Sequence, residues 1–118
     1  MYKISKKFSF SSAHSLKGLP ASHKCSRMHG HNYEVTVHLK SSVLNEVGFV
    51  RDYTELSIIK KYIDNNLDHR NLNEIMDPLN SSAENLAKLI YDKFKSEFPE
   101  LYAVEVSETP KTSAIYEP

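Results

Sequence analysis

Three histidines are spaced so that they could hold a metal. His29-Gly30-His31 opens a run of alternating apolar and polar residues. Side chains at i and i+2 of a strand project to the same side, so both imidazoles can face one ion. His14 ends an earlier apolar run and can supply a third ring. Neutral imidazole suits Zn²⁺, and three protein ligands with an open fourth position describe a catalytic zinc site. Gly30 suits such a site because a residue without a side chain lets substrate or backbone approach closely. The pair alone is also compatible with surface histidines or with core histidines satisfied by neighbours.

Cys25 lies four residues before His29, with Lys24 and Arg27 close by. Positive neighbours and a nearby metal stabilise a thiolate, the form a base or nucleophile requires. Two other readings stand beside that one. Cys25 can be a small apolar plug, or the fourth ligand of a closed Cys-His₃ zinc site, which would be structural. Asp68-His69 follows a helical pattern, where a carboxylate can orient an imidazole for proton transfer or the two can simply cap the helix end. Glu108 closes an apolar run just before Thr109-Pro110, a place where an acidic residue is ordinarily solvated.

These groups need elements to carry them. Tyr2, Ile4, Phe8 and Phe10 recur at period two, interrupted by Lys6, which predicts a half-buried strand over Tyr2 to Phe10. From Asn32 to Lys40, Tyr33, Val35, Val37 and Leu39 alternate with polar residues, as in an antiparallel strand covered on one face. A short strand is expected at Phe49-Val50, and two more at Ala103 to Glu108 and Ser113 to Tyr116. Leu56, Ile59, Tyr62 or Ile63, and Leu67 return every three to four positions and predict an amphipathic helix over Thr54 to Leu67. Ser81-Ser82-Ala83-Glu84 reads as a capping box, with Ser81 accepting from the third helical N–H and Glu84 reaching back. Leu86, Ala87, Ile90 and Phe94 then share one face until Pro99 stops the helix. The order predicts an α+β fold, an antiparallel sheet with both helices on one face.

The 118 residues carry fifteen Lys+Arg against fifteen Asp+Glu. Electrostatic capture of nucleic acid or of an anionic membrane is therefore not expected. No apolar run approaches the ~20 residues that span a bilayer, and the N-terminus lacks a signal-peptide core, so a cytoplasmic protein is expected. The length suits a single domain over 1–118. One cysteine excludes an internal disulfide, and the absence of net charge leaves self-association open.

Six segments in order carry a resemblance: Phe10-Ser11-Ser12-Ala13-His14, the run from His23 through Cys25 and His29-Gly30-His31 to Tyr33, Gly48 to Tyr53, Leu67-Asp68-His69-Arg70-Asn71-Leu72-Asn73, Ala83 to Ala87, and Val106-Ser107-Glu108-Thr109. They resemble the family of 6-pyruvoyltetrahydropterin and 6-carboxytetrahydropterin synthases over nearly the whole chain. The three residues between Cys25 and His29 are similar to the bacterial 6-carboxytetrahydropterin synthases of the queuosine (7-deazaguanine) pathway. The resemblance implies that His14, His29 and His31 hold Zn²⁺, that Cys25 is the base and that Asp68 and His69 relay a proton. It implies that Glu108, with Thr109, anchors the pterin, and it leaves Lys24 and Arg27 as candidate triphosphate contacts. The implied reaction converts 7,8-dihydroneopterin triphosphate to 6-carboxy-5,6,7,8-tetrahydropterin with release of acetaldehyde and triphosphate. The alternatives are the pyruvoyl-forming reaction on the same fold and, from another class, a non-catalytic zinc-binding module. The implied architecture is the tunnelling fold, a four-stranded antiparallel sheet with two helices, closing into a barrel in a homo-oligomer, hexamer or tetramer. Exposed edge strands on a small sheet agree with such self-pairing. Ser81-Ser82 stands where family members often carry Pro-Thr, and both serines can cap.

Overall fold

The computed structural model describes every residue, Met1–Pro118. Four strands form one antiparallel sheet in chain order: β1 (Tyr2–His14), β2 (His29–Ser41), β3 (Leu101–Thr109) and β4 (Thr112–Tyr116). Between β2 and β3 the chain forms α1 (Ser57–Asn66), α2 (Leu72–Met76) and α3 (Ala83–Phe94). The period-two apolar sets Phe8 and Phe10, Tyr33 to Leu39, and Val104 and Val106 cover one face of the sheet. Leu56, Ile59 and Ile63 pack there with Leu86, Ala87, Ile90 and Phe94 of α3 in a single core. Each such side chain contributes about 1.5 to 3 kcal/mol of burial, set against chain entropy of similar total size. This is the expected α+β layout, with the helices on one face.

Both site-bearing strands run longer than their apolar patterns. β1 continues past Phe10 because Ser12 and His14 keep the inward period as buried polar groups. β2 starts at His29, and the two strands pair without a break from Tyr2–Ser41 to His14–His29. The open edge of β1 is covered only near its end. There Asp68 Oδ1 accepts from Ser11 N at 2.9 Å, His69 N donates to Ser11 O at 2.6 Å, and Ala13 N donates to Arg70 O at 2.9 Å.

Other expectations need correction. Phe49-Val50 is not a strand: Asn45 Oδ1 accepts from Val47 N and Phe49 N, each at 3.0 Å, and holds the segment as a turn. Gly48 takes φ +86° there, a region that costs glycine little. The helix expected from Thr54 begins with a separate 3₁₀ turn, Tyr53–Leu56, capped by Asp52, before α1 starts at Ser57. α2 is an element beyond those the sequence pattern predicts, since five residues are too few to show a period. The cap of α3 is Ser82, whose Oγ accepts from Asn85 N at 3.2 Å, and no bond from Glu84 returns to it. Ser81 cannot cap because its side chain is turned inward, 1% exposed. α3 ends at Phe94, ahead of Pro99, where Lys95 Nζ takes the carbonyls of Pro99 and Leu101.

Candidate active site

The pairing of β1 with β2 sets His14 directly across from His29, and His31 follows on the same face. The ring centroids are 4.6 Å apart for His14 and His29, 5.1 Å for His14 and His31, and 4.8 Å for His29 and His31. One ring nitrogen from each lies within 4.8 Å of the other two, so the three histidines are positioned to bind a metal. Nδ1 of His29 donates to the Arg27 carbonyl at 2.7 Å, and Nδ1 of His14 to the Ser81 carbonyl at 2.7 Å. Such bonds orient a ring and leave Nε2 free to ligate. Nε2 of His14 and of His31 are buried with no hydrogen-bond partner, the condition an ion would relieve. Burial holds His31 below the usual imidazole value, against the opposing pull of Glu108, which keeps the ring neutral, as a ligand must be.

Cys25 sits in a 3₁₀ turn, Lys24–Ser26, within the loop joining β1 to β2. Its N–H donates to His23 Nδ1 at 3.1 Å, and its carbonyl accepts from Leu16 N at 2.8 Å, which ties the turn to the end of β1. With Lys24, Arg27, Met28, His29 and His31 it lines a cavity of about 320 Å³. The metal-ready set comprises the three imidazoles and not the thiol, so the closed Cys-His₃ arrangement is not formed.

The Asp68–His69 pair is real and sits elsewhere. Asp68 Oδ2 is 2.9 Å from His69 Nδ1. The Ser11 amide first, and His69 second, hold the Asp68 carboxyl below its usual range. His69 itself adopts φ +55°, unusual for a residue other than glycine, and its side chain is 82% exposed. It lines a second, open cavity of about 480 Å³ with Ser11, Gly30, His31 and Arg70. A Cβ at Gly30 would meet only Ser12 O, at 3.6 Å, an ordinary contact. The glycine thus keeps this cavity open and is not demanded by close backbone approach. No hydrogen bond joins Cys25 to Asp68 or His69, and within one chain their two cavities share His31.

Glu108 Oε2 stands 3.5 Å from His31 Nε2, within electrostatic reach but without a hydrogen bond. It lines a third cavity, about 190 Å³, together with Glu84, Thr112 and Ser113. Thr109 lies outside that cavity. Its hydroxyl is engaged by Thr112 Oγ1 and Lys111 N, both at 3.3 Å, inside the β3–β4 turn. Tyr33, read from the sequence only as core, brings a buried hydroxyl without a partner. Burial and nearby Glu108 push its ionisation up, so it remains a neutral donor. Its one sequence signal is its place two residues after His31, on the same face.

Three imidazoles converging at one end of an antiparallel meander, with helices over the same face, define a metal-ready α+β domain. A profile of the 6-pyruvoyl tetrahydropterin synthase family matches residues 3–118, and the chain belongs to that family. It is 36% identical over 98 residues to the 6-pyruvoyl tetrahydrobiopterin synthase of Dictyostelium discoideum, covering 79% of this chain and 73% of the relative. It is 30% identical over 129 residues to the 6-carboxy-5,6,7,8-tetrahydropterin synthase of Bacillus subtilis, covering 99% of this chain and 86% of the relative. The solved structure of Caenorhabditis elegans 6-pyruvoyl tetrahydropterin synthase matches with a TM-score of 0.87 at 32% identity, over 99% of this chain and 95% of that one.

Proposed function

We propose that the chain is a zinc-dependent 6-carboxy-5,6,7,8-tetrahydropterin synthase of 7-deazaguanine (queuosine) biosynthesis. It converts 7,8-dihydroneopterin triphosphate and one water to the 6-carboxy product with release of acetaldehyde and triphosphate, the water supplying the third oxygen that the carboxylate and acetaldehyde together require. The observation that carries the reading is the cavity where Cys25, Lys24 and Arg27 meet His29 and His31. It combines an acid–base group, cations for a polyphosphate and two metal-ready imidazoles. The short Cys25–His29 spacing and the near full-length likeness to the Bacillus subtilis protein favour the carboxy product.

His14, His29 and His31 would hold the zinc, which when bound would supply Lewis acidity toward negative charge developing on the substrate side chain. Glu108 accepts the ring N–H and amino protons of the pterin side by side and fixes the ring. The hairpin turn closed by Thr109 keeps Glu108 in place. Cys25 as thiolate removes a side-chain proton, and Lys24 and Arg27 face the triphosphate. His69, oriented by Asp68, handles the counterpart transfer. Homo-oligomerisation, as hexamer or tetramer, covers the open β1 edge and brings further copies to the site end. The reading places the chain in the cytoplasm; no helix is long and apolar enough to cross a membrane.

A second reading, the 6-pyruvoyl product, draws on the likeness to the Dictyostelium protein. Incubation with 7,8-dihydroneopterin triphosphate and mass identification of the products separates the two. Acetaldehyde with 6-carboxy-5,6,7,8-tetrahydropterin is expected; a pyruvoyl pterin without acetaldehyde would overturn the assignment. Light scattering should give a mass several times 13.5 kDa.

A further inference from the structure

Ser81, released from capping, has a different set of partners. The His14 ring is 0% exposed and Ser81 1% exposed, so every polar atom between them needs a protein partner. His14 Nδ1 meets the Ser81 carbonyl at 2.7 Å and Ser81 Oγ at 3.3 Å. The same Oγ lies 2.9 Å from Asn73 Oδ1 and 3.4 Å from Ser15 O. Asn73, in the first turn of α2, accepts from Ser15 N at 3.0 Å and donates from Nδ2 to Ser15 O at 2.9 Å.

These contacts fix the direction of each proton. A backbone N–H only donates, so the Asn73 atom facing Ser15 N is its oxygen, and its nitrogen faces the Ser15 carbonyl. The Ser81 hydroxyl then looks at two acceptors, Asn73 Oδ1 and Ser15 O, and donates to one of them. What it turns to His14 is a lone pair. Both atoms opposite Nδ1 are acceptors, so Nδ1 carries the proton and Nε2 keeps its electron pair, in the buried place where it has no partner.

We propose that Asn73 and Ser81 are positioning residues that preset His14 as the deep ligand of the metal site: the Ser81 carbonyl sets the tautomer, and the linked Asn73 and Ser81 side chains hold the ring in orientation. They touch neither ion nor substrate. The proposal rests on reading His14, His29 and His31 as a metal site. It gives α2 a task, since that single short helix mounts Asn73 against both the end of β1 and the residue before the α3 cap. His29, by contrast, is held through Nδ1 by one exposed carbonyl, that of Arg27.

The test measures metal affinity and the order of the His14 ring. Metal-free wild type, Ser81→Ala, Asn73→Leu and the double variant are titrated with Zn²⁺ in competition with a chromophoric chelator. Circular dichroism confirms the fold of each. Loss of a partner behind a metal-bound imidazole typically weakens binding about 10- to 100-fold, and each single variant should fall in that range. Because the two act through one chain of bonds, the double variant should bind no more weakly than the worse single. The imidazole ¹⁵N shifts of His14 in the metal-free protein should report the Nδ1–H tautomer in wild type and also in Ser81→Ala, where the main-chain carbonyl remains. The variant's ring signals should be exchange-broadened, marking a ring no longer held in one orientation, which a merely structural role would not produce. If Asn73→Leu does not fold, Ser81→Ala decides by these two readouts. Wild-type affinity and sharp, wild-type ring signals in Ser81→Ala would overturn the proposal and leave the metal reading intact. Wild type that holds no zinc would overturn both.

Discussion

The chain builds two histidine centres along one stretch of β1, and they are made in opposite ways. His14, His29 and His31 sit on paired strands, with the His14 ring fully buried and the rings of His14 and His29 pinned through Nδ1 by main-chain carbonyls. His69 sits on a left-handed corner, its ring largely exposed, steered by one carboxylate. The corner is itself anchored to Ser11, three residues from His14. A ligand set gains from rings that cannot move, because every degree of freedom removed beforehand is one the ion need not remove. A proton carrier gains from access to whatever it serves. Each centre has the surroundings of one of these tasks and lacks those of the other.

The comparison breaks first at the metal. His14→Ala or His29→Ala should reduce zinc from about one per chain to near none, and turnover with it; elemental analysis showing full occupancy in either variant would refute the ligand set. Cys25→Ala tests whether the thiol belongs to the fixed centre or to the mobile chemistry. It should keep metal and melting temperature while turnover drops at least ~100-fold. A metal-depleted, destabilised Cys25→Ala protein would return the cysteine to a structural role. Glu108→Ala probes the β3 side of the three-histidine centre, away from His69. With the pterin's ring donors left unpaired, apparent substrate affinity should weaken by about 1 to 3 kcal/mol while zinc content stays constant, and unchanged affinity would remove Glu108 from the site.

The smallest effect lies at the exposed centre and is read through pH. The Asp68 carboxyl is held below its usual value in the folded chain, so its contribution to stability is present above the unfolded carboxylate value, about 4. It is lost as pH falls through the lower folded value. Melting temperature between pH 5 and pH 2 should therefore drop more steeply in wild type than in Asp68→Asn. Parallel curves would show that the Ser11 and His69 bonds do not hold the carboxylate.

Much of this arrangement was legible from the sequence, and the gaps have physical causes. The alternation of Tyr33, Val35, Val37 and Leu39 marked β2 because one face of the sheet is dry. The H-x-H spacing projected both rings to one side because strands repeat every two residues. The continuation of β1 was hidden because Ser12 and His14 occupy inward positions with polar groups, which breaks an apolar count but not the pleat. Adjacent serines at 81 and 82 offer the same cap chemistry. The choice of Ser82 depended on His14, far away in the chain. Asn73 stands in the Leu67 to Asn73 segment with no role attached, for the same reason, its partners at Ser15 and Ser81 being brought close only by folding. Placing Cys25 apart from Asp68–His69 required the path of the loop after β1, which has no periodic signal.

The register that sets His14 opposite His29 has a thermodynamic consequence. An ion held by the two rings would clasp the ends of the loop from Ser15 to Met28 and close a ring of chain that includes Cys25. Binding to the folded chain alone then raises stability logarithmically, by about 1.4 kcal/mol for each tenfold rise in free metal beyond the dissociation constant. For a domain of this size each such step moves the melting point by several degrees. The protein's thermal midpoint would thus read out the free-metal level around it.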